Sequence, residues 1–551
     1  MIKLLSVHAI VFLLLSTTSI AQVNQVWLAE FNGAGNSGDL SYSMTIDQSG
    51  NTYVTGETYS VAGNYDYVTI KYNSSGDTVW ARYYNDPANS RDAGRAIAID
   101  ADGNVYVTGE SKGLVDYDIA TIKYNSAGVQ QWASRYDGPA NGQDGSNSIA
   151  IDTSGNVYIT GYSDGDAHPV FRQDDYVTIK YNASGIAVWT MRYNGSGNFH
   201  DAAYAIAVDK NNNVYVTGGS VGAGTLYDYT TIKYDPAGTQ LWVKTYNGPA
   251  NYYDTAYALA VDDSGNVFVT GSSDGTSSDN EDYATIKYNS DGTQQWLARY
   301  NGAGGGDDAY KIVLDGIGNL YVTGESRNPV SPYSYDYLTI RYNAFTGDTI
   351  WTARYNGPAS EIDFPTSIAA DNQDNVYVTG FSSGNGSSYD YATIKYNNIG
   401  TEMWLVRFNG SGNGGDNASS IAVDTMGNIY VAGSSSGNGT VKDIVTIKYS
   451  QSPTDVLDES LVLPEEYLLS QNYPNPFNPV TSIQYAISKS QFVTLKVYDV
   501  LGNAVATLVN EEKPAGRYEV HWVAGGQPSG VYFYKFQVGS FVESKKMILL
   551  K

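Results

Sequence analysis

The sequence predicts an all-β protein: an eight-unit β-propeller of four-stranded blades, followed by a small immunoglobulin-like β-sandwich. Three observations lead there. The phrase Thr-Ile-Lys/Arg-Tyr begins at Thr69, Thr121, Thr178, Thr231, Thr285, Thr339, Thr393 and Thr446, and a phrase like NVYVTG ends at Gly56, Gly109, Gly161, Gly218, Gly271, Gly324, Gly380 and Gly433, at spacings of 52 to 57 residues. Short Tyr/Val/Ile/Thr runs alternate with Gly-rich turns, in a chain with 58 Gly and 49 Tyr; this is strand and turn chemistry. Regular repeats of four such strands are the signature of propeller blades.

Each unit holds four strand-like segments. A run like AIAVD (Ala205 to Asp209) meets NVYVTG through a tight turn such as residues 262–266, where Asp and Asn supply local hydrogen bonds and Gly a positive φ. A loop of variable length follows, then TIKYN, then a second Gly turn. The fourth segment starts with Trp at 27, 80, 132, 189, 242, 296, 351 and 404, with an aromatic residue four positions on. AIAVD is expected innermost, where small Ala side chains suit the taper.

The phasing predicts how the ring closes. The chain enters on the Trp27 strand, and its last unit ends at Tyr449 with no Trp strand after it. Residues 27–32 are therefore expected to pair as the outer strand of the blade built from 421–449, which removes an open sheet edge.

The ends have different compositions. Lys3, the apolar run 9–15 and the small-x-small Ser19-Ile20-Ala21 form a signal peptide over 1–21, so the mature chain is expected to begin at Gln22. The propeller occupies 22–449. No other stretch approaches the roughly 18 apolar residues of a membrane span, and no transmembrane segment is expected in the mature chain. Residues 450–466 are acidic, hold two Pro and read as a linker. Strand-like runs then fill 467–551, enough for a small sandwich.

The repeat units resemble the bacterial β-propeller repeat proteins with Ser/Gly-rich DxxGNVYVTG blades, over residues 27–449. That family is usually described as seven-bladed; eight units are present here. The resemblance implies an extracellular propeller and no particular reaction. The C-terminal segment resembles the type A sorting domain of the type IX secretion system of Bacteroidetes. The matching pieces are QNYPNPFNP (471–479), LKVYDVLGNAVATLV (495–509), AGRYEVHW (515–522), SGVYFYKF (529–536) and KKMILLK (545–551). One departure is Val-Ala-Gly after Trp522. This resemblance implies the type IX machinery as a partner, passage through the outer membrane, removal of the domain, and release or attachment at the cell surface.

Composition narrows the functional classes. The formal net charge is −25 with no clustered Lys and Arg, which argues against nucleic acid as a partner. Without cysteine there are no disulfides, and four His in the whole chain exclude the usual zinc spacings. Gly-x-Ser-x-Gly occurs six times, at 109–113, 161–165, 218–222, 271–275, 380–384 and 433–437. Six copies at blade spacing, each after a strand and none opening a helix, read as turns rather than nucleophile elbows. Gly-x-Gly-x-x-Gly at 33–38 and 410–415 likewise lacks the strand-to-helix setting of a dinucleotide site. No catalytic residue and no organic cofactor is assigned.

Calcium needs only carboxylates and carbonyls. The candidate ligands are Asp164, Asp166, Asp174 and Asp175 in one loop, and Asp274, Asp279, Glu281 and Asp282 in another. A solvated acidic loop is the plainer reading of both. A further pattern, Asp-x₇-Asp, spans the inner strand of every unit. Its first members, Asp39, Asp92, Asp144, Asp201, Asp254, Asp307, Asp363 and Asp416, fall at one mouth of the channel. There they could form an acidic ring that attracts a cation or a basic partner. The competing expectation is a repeated Asp bond to backbone amides of the preceding turn. Loop tyrosines such as Tyr252, Tyr253, Tyr333, Tyr335 and Tyr389 are placed to stack on sugars or to pack between blades.

The reading that fits best is a secreted or surface-displayed binding or adhesion module for extracellular glycan or protein, with variable loops presented on a rigid scaffold. The alternatives are a polysaccharide-degrading enzyme and a structural surface protein without a small ligand. The third unit, with Asp164–Asp175, His168 and Arg172, departs most from the repeat.

Overall fold

In the computed structural model the described residues are 23–86, 88–165, 173–275, 281–302, 305–315, 318–328, 334–437, 439, 441–451, 467–514 and 516–550. The expected signal peptide, 1–21, and residues 452–466 of the expected linker lie outside them. The described chain divides into two compact units, one ending at Ser452 and one beginning at Pro453.

The first unit is eight antiparallel sheets of four strands each. Blade 1 runs through Leu40–Ile46, Thr52–Tyr59, Tyr65–Tyr72 and Thr78–Tyr84, from inside to outside. Blades 2 to 7 repeat this order. Blade 8 takes three strands from the end of the repeat, Asn417–Val423, Ile429–Ser435 and Asp443–Gln451, and its outer strand, Val23–Phe31, from the beginning of the chain. The register pairs Trp27 with Lys448 and Phe31 with Ile444. The ring closes directly: Ser41 N–H of blade 1 donates to Ser434 Oγ of blade 8 at 2.9 Å.

The two central strands of each blade are buried on both faces, because each blade is sandwiched by its neighbours. In the second and third strands of blade 5, Val267–Asp274 and Glu281–Tyr288, every residue but Glu281 is buried. The apolar clusters therefore span blades: Tyr53, Tyr67 and Trp80 of blade 1 pack on Val105, Val107, Ala120 and Ile122 of blade 2. Each such aliphatic side chain contributes about 1.5–3 kcal/mol on full burial.

Three local devices recur. First, the turn after the inner strand is built by Asp. In blade 1, Asp47 Oδ1 accepts from Ser49 N–H and Asn51 N–H, and Oδ2 from Asn51 Nδ2 and Tyr53 Oη. Second, each outer-strand Trp reaches the next blade. Trp80 Nε1 donates to Ser126 O at 3.3 Å, and its indole covers Gly128, whose φ is +77° and whose added Cβ would come within 2.7 Å of the ring. Third, the inner strand bulges at its third or fourth residue, where the register with the second strand shifts. The partner of the bulge is the Gly that ends VTG. A Cβ on Gly161 would overlap the carbonyl oxygen of Gly145, so no other residue fits without a backbone shift.

The second unit contains a three-stranded sheet (Leu468–Leu469, Val480–Ile487, Gly516–Val523) and a four-stranded sheet (Ala504–Lys513, Gln491–Tyr498, Gly530–Val538, Phe541–Leu549). Ile483, Tyr485, Leu495, Trp522, Tyr534, Phe536 and Met547 share its core. After Trp522, Ala524 N–H donates to Pro479 O and Gln527 N–H to Ala524 O, which forms the turn of the Val-Ala-Gly departure. Among the described residues no helix is long and apolar enough to cross a membrane.

Candidate functional site

The eight first-position carboxylates, Asp39, Asp92, Asp144, Asp201, Asp254, Asp307, Asp363 and Asp416, stand at the start of the innermost strands, and all have zero exposure. Each faces its own preceding turn. Gly33 N–H donates to Asp39 Oδ2 at 2.6 Å, and the same bond recurs from Gly138 to Asp144, Gly195 to Asp201, Gly248 to Asp254, Gly357 to Asp363 and Gly410 to Asp416. In blades 1 and 6 the second oxygen is served by the hydroxyl two residues after the VTG glycine: Thr58 donates to Asp39 at 2.5 Å and Ser326 to Asp307. The serines of Gly-x-Ser-x-Gly, Ser111, Ser163, Ser220, Ser273, Ser382 and Ser435, are all buried rather than standing on an exposed elbow.

The network extends to an ion pair. Arg299 donates to Ser273 Oγ at 2.5 Å and to Asp282 Oδ2 at 2.6 Å; Arg407 does the same with Ser382 and Asp390. Burial raises the carboxyl pKa of Asp92, Asp144 and Asp254 to about 6, against the lowering effect of their Ser and backbone bonds.

The loop carboxylates separate into different environments. Asp175 pairs with Arg192 at 2.8 Å, Asp282 with Arg299, and Asp274 Oδ2 accepts from Tyr253 N–H at 2.9 Å. Asp174 meets His200. Asp164 lies across the strand pair from Asp174, and Asp274 across from Glu281. Asp166 and Asp279, with His168, Arg172 and Tyr333, lie outside the described residues. Among the described residues, the carboxylates close enough to share one ion are Asp118, Asp137 and Asp144, whose ligand oxygens lie within 4.8 Å of one another. Asp137 stands where other units have Asn, as at Asn85 and Asn247.

The bulge residues were not expected from the sequence. They are Tyr42, Arg95, Asn147, Tyr204, Tyr257, Tyr310, Thr366 and Ser419, one per blade. Tyr204, Tyr257 and Tyr310 contact one another from blade to blade, with ring centroids 5.7 and 5.5 Å apart, and Phe364 and Phe381 continue the arc. Tyr310 Oη donates to Glu325 at 2.9 Å. Burial, with Asp308 nearby, pushes the Glu325 carboxyl up to about 7.

Beside this arc, over blade 4, lies an open cavity of about 680 Å³. Three loops build it: the entry to the inner strand, with Phe199 and His200; the hairpin 222–226, with Leu226 and the adjoining Tyr227; and the following blade's entry, with Tyr253. Tyr227 and Tyr253 stack at 5.9 Å and 26°. Phe199 is 56% exposed and Tyr253 52%. The polar edge is His200, whose Nδ1 lies 2.5 Å from Oδ2 of the fully buried Asp174. The other loop tyrosines differ: Tyr252 is exposed, while Tyr389 packs on Phe381 at 5.0 Å. The legible signal for this cavity was the single His in the series of residues that precede each ring Asp.

Comparison with known families decides the delivery question. Residues 471–550 match the family described as "Secretion system C-terminal sorting domain". The C-terminal unit is a type IX sorting domain. Segments 79–114, 134–166, 244–277, 350–386 and 407–439 match the "Beta-propeller repeat" family. A sorting domain of this kind implies secretion to the cell surface or beyond, with the type IX machinery as its reader.

One curated relative, an uncharacterized WD repeat-containing protein L264 of Acanthamoeba polyphaga mimivirus, is 22% identical over 447 residues. The match takes in 66% of this chain, which spans only 31% of that relative's length. Among solved structures, PorZ of Porphyromonas gingivalis, described as a surface component of the type IX secretion system, aligns at TM-score 0.33 and 13% identity, over 94% of this chain and 74% of PorZ. An ulvan lyase of polysaccharide lyase family 25 aligns at TM-score 0.40 and 13% identity, over 77% of this chain and 95% of the lyase.

Proposed function

We propose that this is a signal-peptide-bearing, secreted or surface-displayed β-propeller that binds extracellular glycan through the cavity over blade 4. The observation that carries the reading is the aromatic wall of exposed Phe199 and Tyr253 with half-buried Tyr227, beside the polar edge of His200. Flat aromatic faces stack on the C–H faces of sugar rings at little conformational cost, and a few polar groups fix orientation. The surrounding blades are rigid, so the loops meet ligand already ordered.

The test is a glycan-array screen of the full chain, run with calcium and again with EDTA, beside Tyr253→Ala and Phe199→Ala. Binding lost in both variants supports the cavity as the site. Binding lost only in EDTA directs attention to Asp118, Asp137 and Asp144, the carboxylates within reach of one ion. A blank array in both conditions would sink the glycan reading in favour of a protein partner.

A further inference from the structure

We infer that the cavity also turns its ligand over: His200, oriented by Asp174, acts as base and Tyr227 as acid in a β-elimination that cleaves an esterified uronate glycan. This rests on the glycan reading above and goes one step further.

The pair joins two positions that vary among the blades. The residue at the head of the third strand is Tyr65, Tyr117, Tyr227, Tyr335 and Tyr389 in five blades, Glu281 in blade 5, Lys442 in blade 8 and Asp174 in blade 3. The residue before the ring Asp is Gly38, Arg91, Gln143, Tyr253, Gly306, Ile362 and Gly415 elsewhere, but His200 ahead of Asp201. These two residues, from adjacent blades, face each other. Asp174 has zero exposure, and a carboxylate is costly there unless it is partnered. Its Oδ2 lies 2.5 Å from His200 Nδ1, and its carbonyl accepts from Asp201 N–H at 2.6 Å, which fixes the backbone.

With Nδ1 turned to the carboxylate, Nε2 is the nitrogen left for the cavity. This is the base-and-orienter geometry that activates imidazole in many unrelated folds. The ring is held between Tyr162 and Tyr227, with centroids 6.4 and 6.3 Å away, and Tyr227 meets it edge-on at 83°. Burial pushes the Tyr227 phenol up to about 12, so it stays a proton donor at neutral pH.

The step balances without a co-reactant. His200 Nε2 takes the proton on the carbon alpha to the carboxyl carbon. The released electron pair forms the carbon–carbon double bond, and the beta carbon–oxygen glycosidic bond breaks. The leaving oxygen takes the Tyr227 proton, which the imidazolium then restores. The described lining residues include neither Lys nor Arg to pair with a free uronate. An ester is uncharged and its alpha proton is more acidic, which selects the esterified form.

The experiment uses the full chain and methyl-esterified polygalacturonate, followed by the absorbance of the conjugated double bond and, separately, by affinity electrophoresis for binding. We expect product from the wild type. His200→Gln should lose roughly 100-fold or more of the rate, the usual size of a general-base effect, with a much smaller loss of binding because the aromatic wall is kept. Tyr227→Phe should behave alike. Asp174→Asn should lower the rate and displace its pH profile, a readout that loss of packing alone would not move. Matching thermal transitions confirm that the variants fold. Binding without any double-bond product overturns this inference and leaves the glycan reading standing; no binding at all overturns both. Full turnover by His200→Gln removes the assigned base, and cleavage of the de-esterified polymer alone overturns the ester assignment.

Discussion

Trp404 Nε1 donates to Oε1 of Gln451, 3.2 Å away, at the one seam where the propeller repeat runs out. Elsewhere the outer-strand Trp finds a backbone carbonyl in the Gly turn of the next blade, as Trp189 finds Pro236 O. The third strand of blade 8 ends at Gln451. The Gln451 side chain takes over that place. The same Oε1 accepts from Lys395 Nζ at 2.8 Å, and Nε2 donates to Tyr377 Oη and Gly427 O. Gln451→Ala removes the acceptor of Trp404 and the donor to Gly427 O, while Tyr377 keeps its bond to Asp371. At about 1–3 kcal/mol for each buried group left unsatisfied, a loss of roughly 2–4 kcal/mol is expected in urea unfolding. A change under about 0.5 kcal/mol, the scatter of ordinary surface substitutions, would show that Gln451 is not a seam lock.

The VTG glycine and the turn glycine separate two kinds of requirement within one blade. Gly161 has no room, since a Cβ would overlap Gly145 O at the bulge. Gly155 has φ +76° with nothing within 4 Å of an added Cβ. Gly155→Ala is expected to cost about 1 kcal/mol, from backbone strain alone. Gly161→Ala forces a backbone shift and is expected to cost about 3 kcal/mol. Chemical denaturation of the two variants checks the order, and equal losses would mean that the bulge yields freely.

Stability should peak at mildly acid pH. Burial raises the carboxyls of Asp92, Asp144, Asp254 and Asp308 to about 6 and Glu325 to about 7. A raised carboxyl binds its proton in the folded state at a pH where the unfolded chain has released it. Its contribution is therefore present at low pH and lost as pH rises from about 4 to about 7. The turn residues Asp47, Asp100, Asp152 and Asp209 act in the opposite sense. Burial works against them, but bonds from Asn and Tyr outweigh it and hold these carboxyls low. Their stabilisation is lost below about pH 4. Thermal unfolding across that range should show a maximum near pH 4–5. A melting temperature that climbs steadily to pH 8 would contradict the burial of the ring carboxylates.

Much of this fold could be read in advance, for a physical reason. A blade buries its faces only against copies of itself, so the same residues must recur at each layer, and eight copies of a TIKY-like and a VTG-like phrase expose the pattern. Closure by Val23–Phe31 was legible because a missing Trp strand at one end matched a spare at the other. The bulge was hidden, since its residue varies freely among Tyr42, Arg95, Asn147 and Ser419; only the Gly opposite is constant, and a constant Gly also fits a plain turn. The first-position Asp residues were legible as a pattern, but sequence spacing does not say which way a carboxylate turns. The cavity over blade 4 was the hardest to see, because it depends on Asp174 and His200 meeting across two blades.

Lys311 supplies the last prediction, because it stands where other inner strands carry Ala or Ser, as at Ala205, Ala258 and Ser367. It lies one residue past Tyr310, on the channel side of blade 6, and its side chain remains open to channel water. The surrounding protein lowers its ammonium pKa. A lowered ammonium pKa means the charged form is less favoured folded than unfolded, so the charge opposes folding at neutral pH and ceases to do so as pH rises through the ordinary lysine range. Lys311→Ala should therefore stabilise the protein at pH 7 by a few tenths to about 1 kcal/mol, the smaller figure reflecting screening by water in the channel. The difference between wild type and variant should shrink above about pH 10. Thermal unfolding at the two pH values measures both effects. Destabilisation by Lys311→Ala at pH 7 would mean that the ammonium has a stabilising partner in the channel.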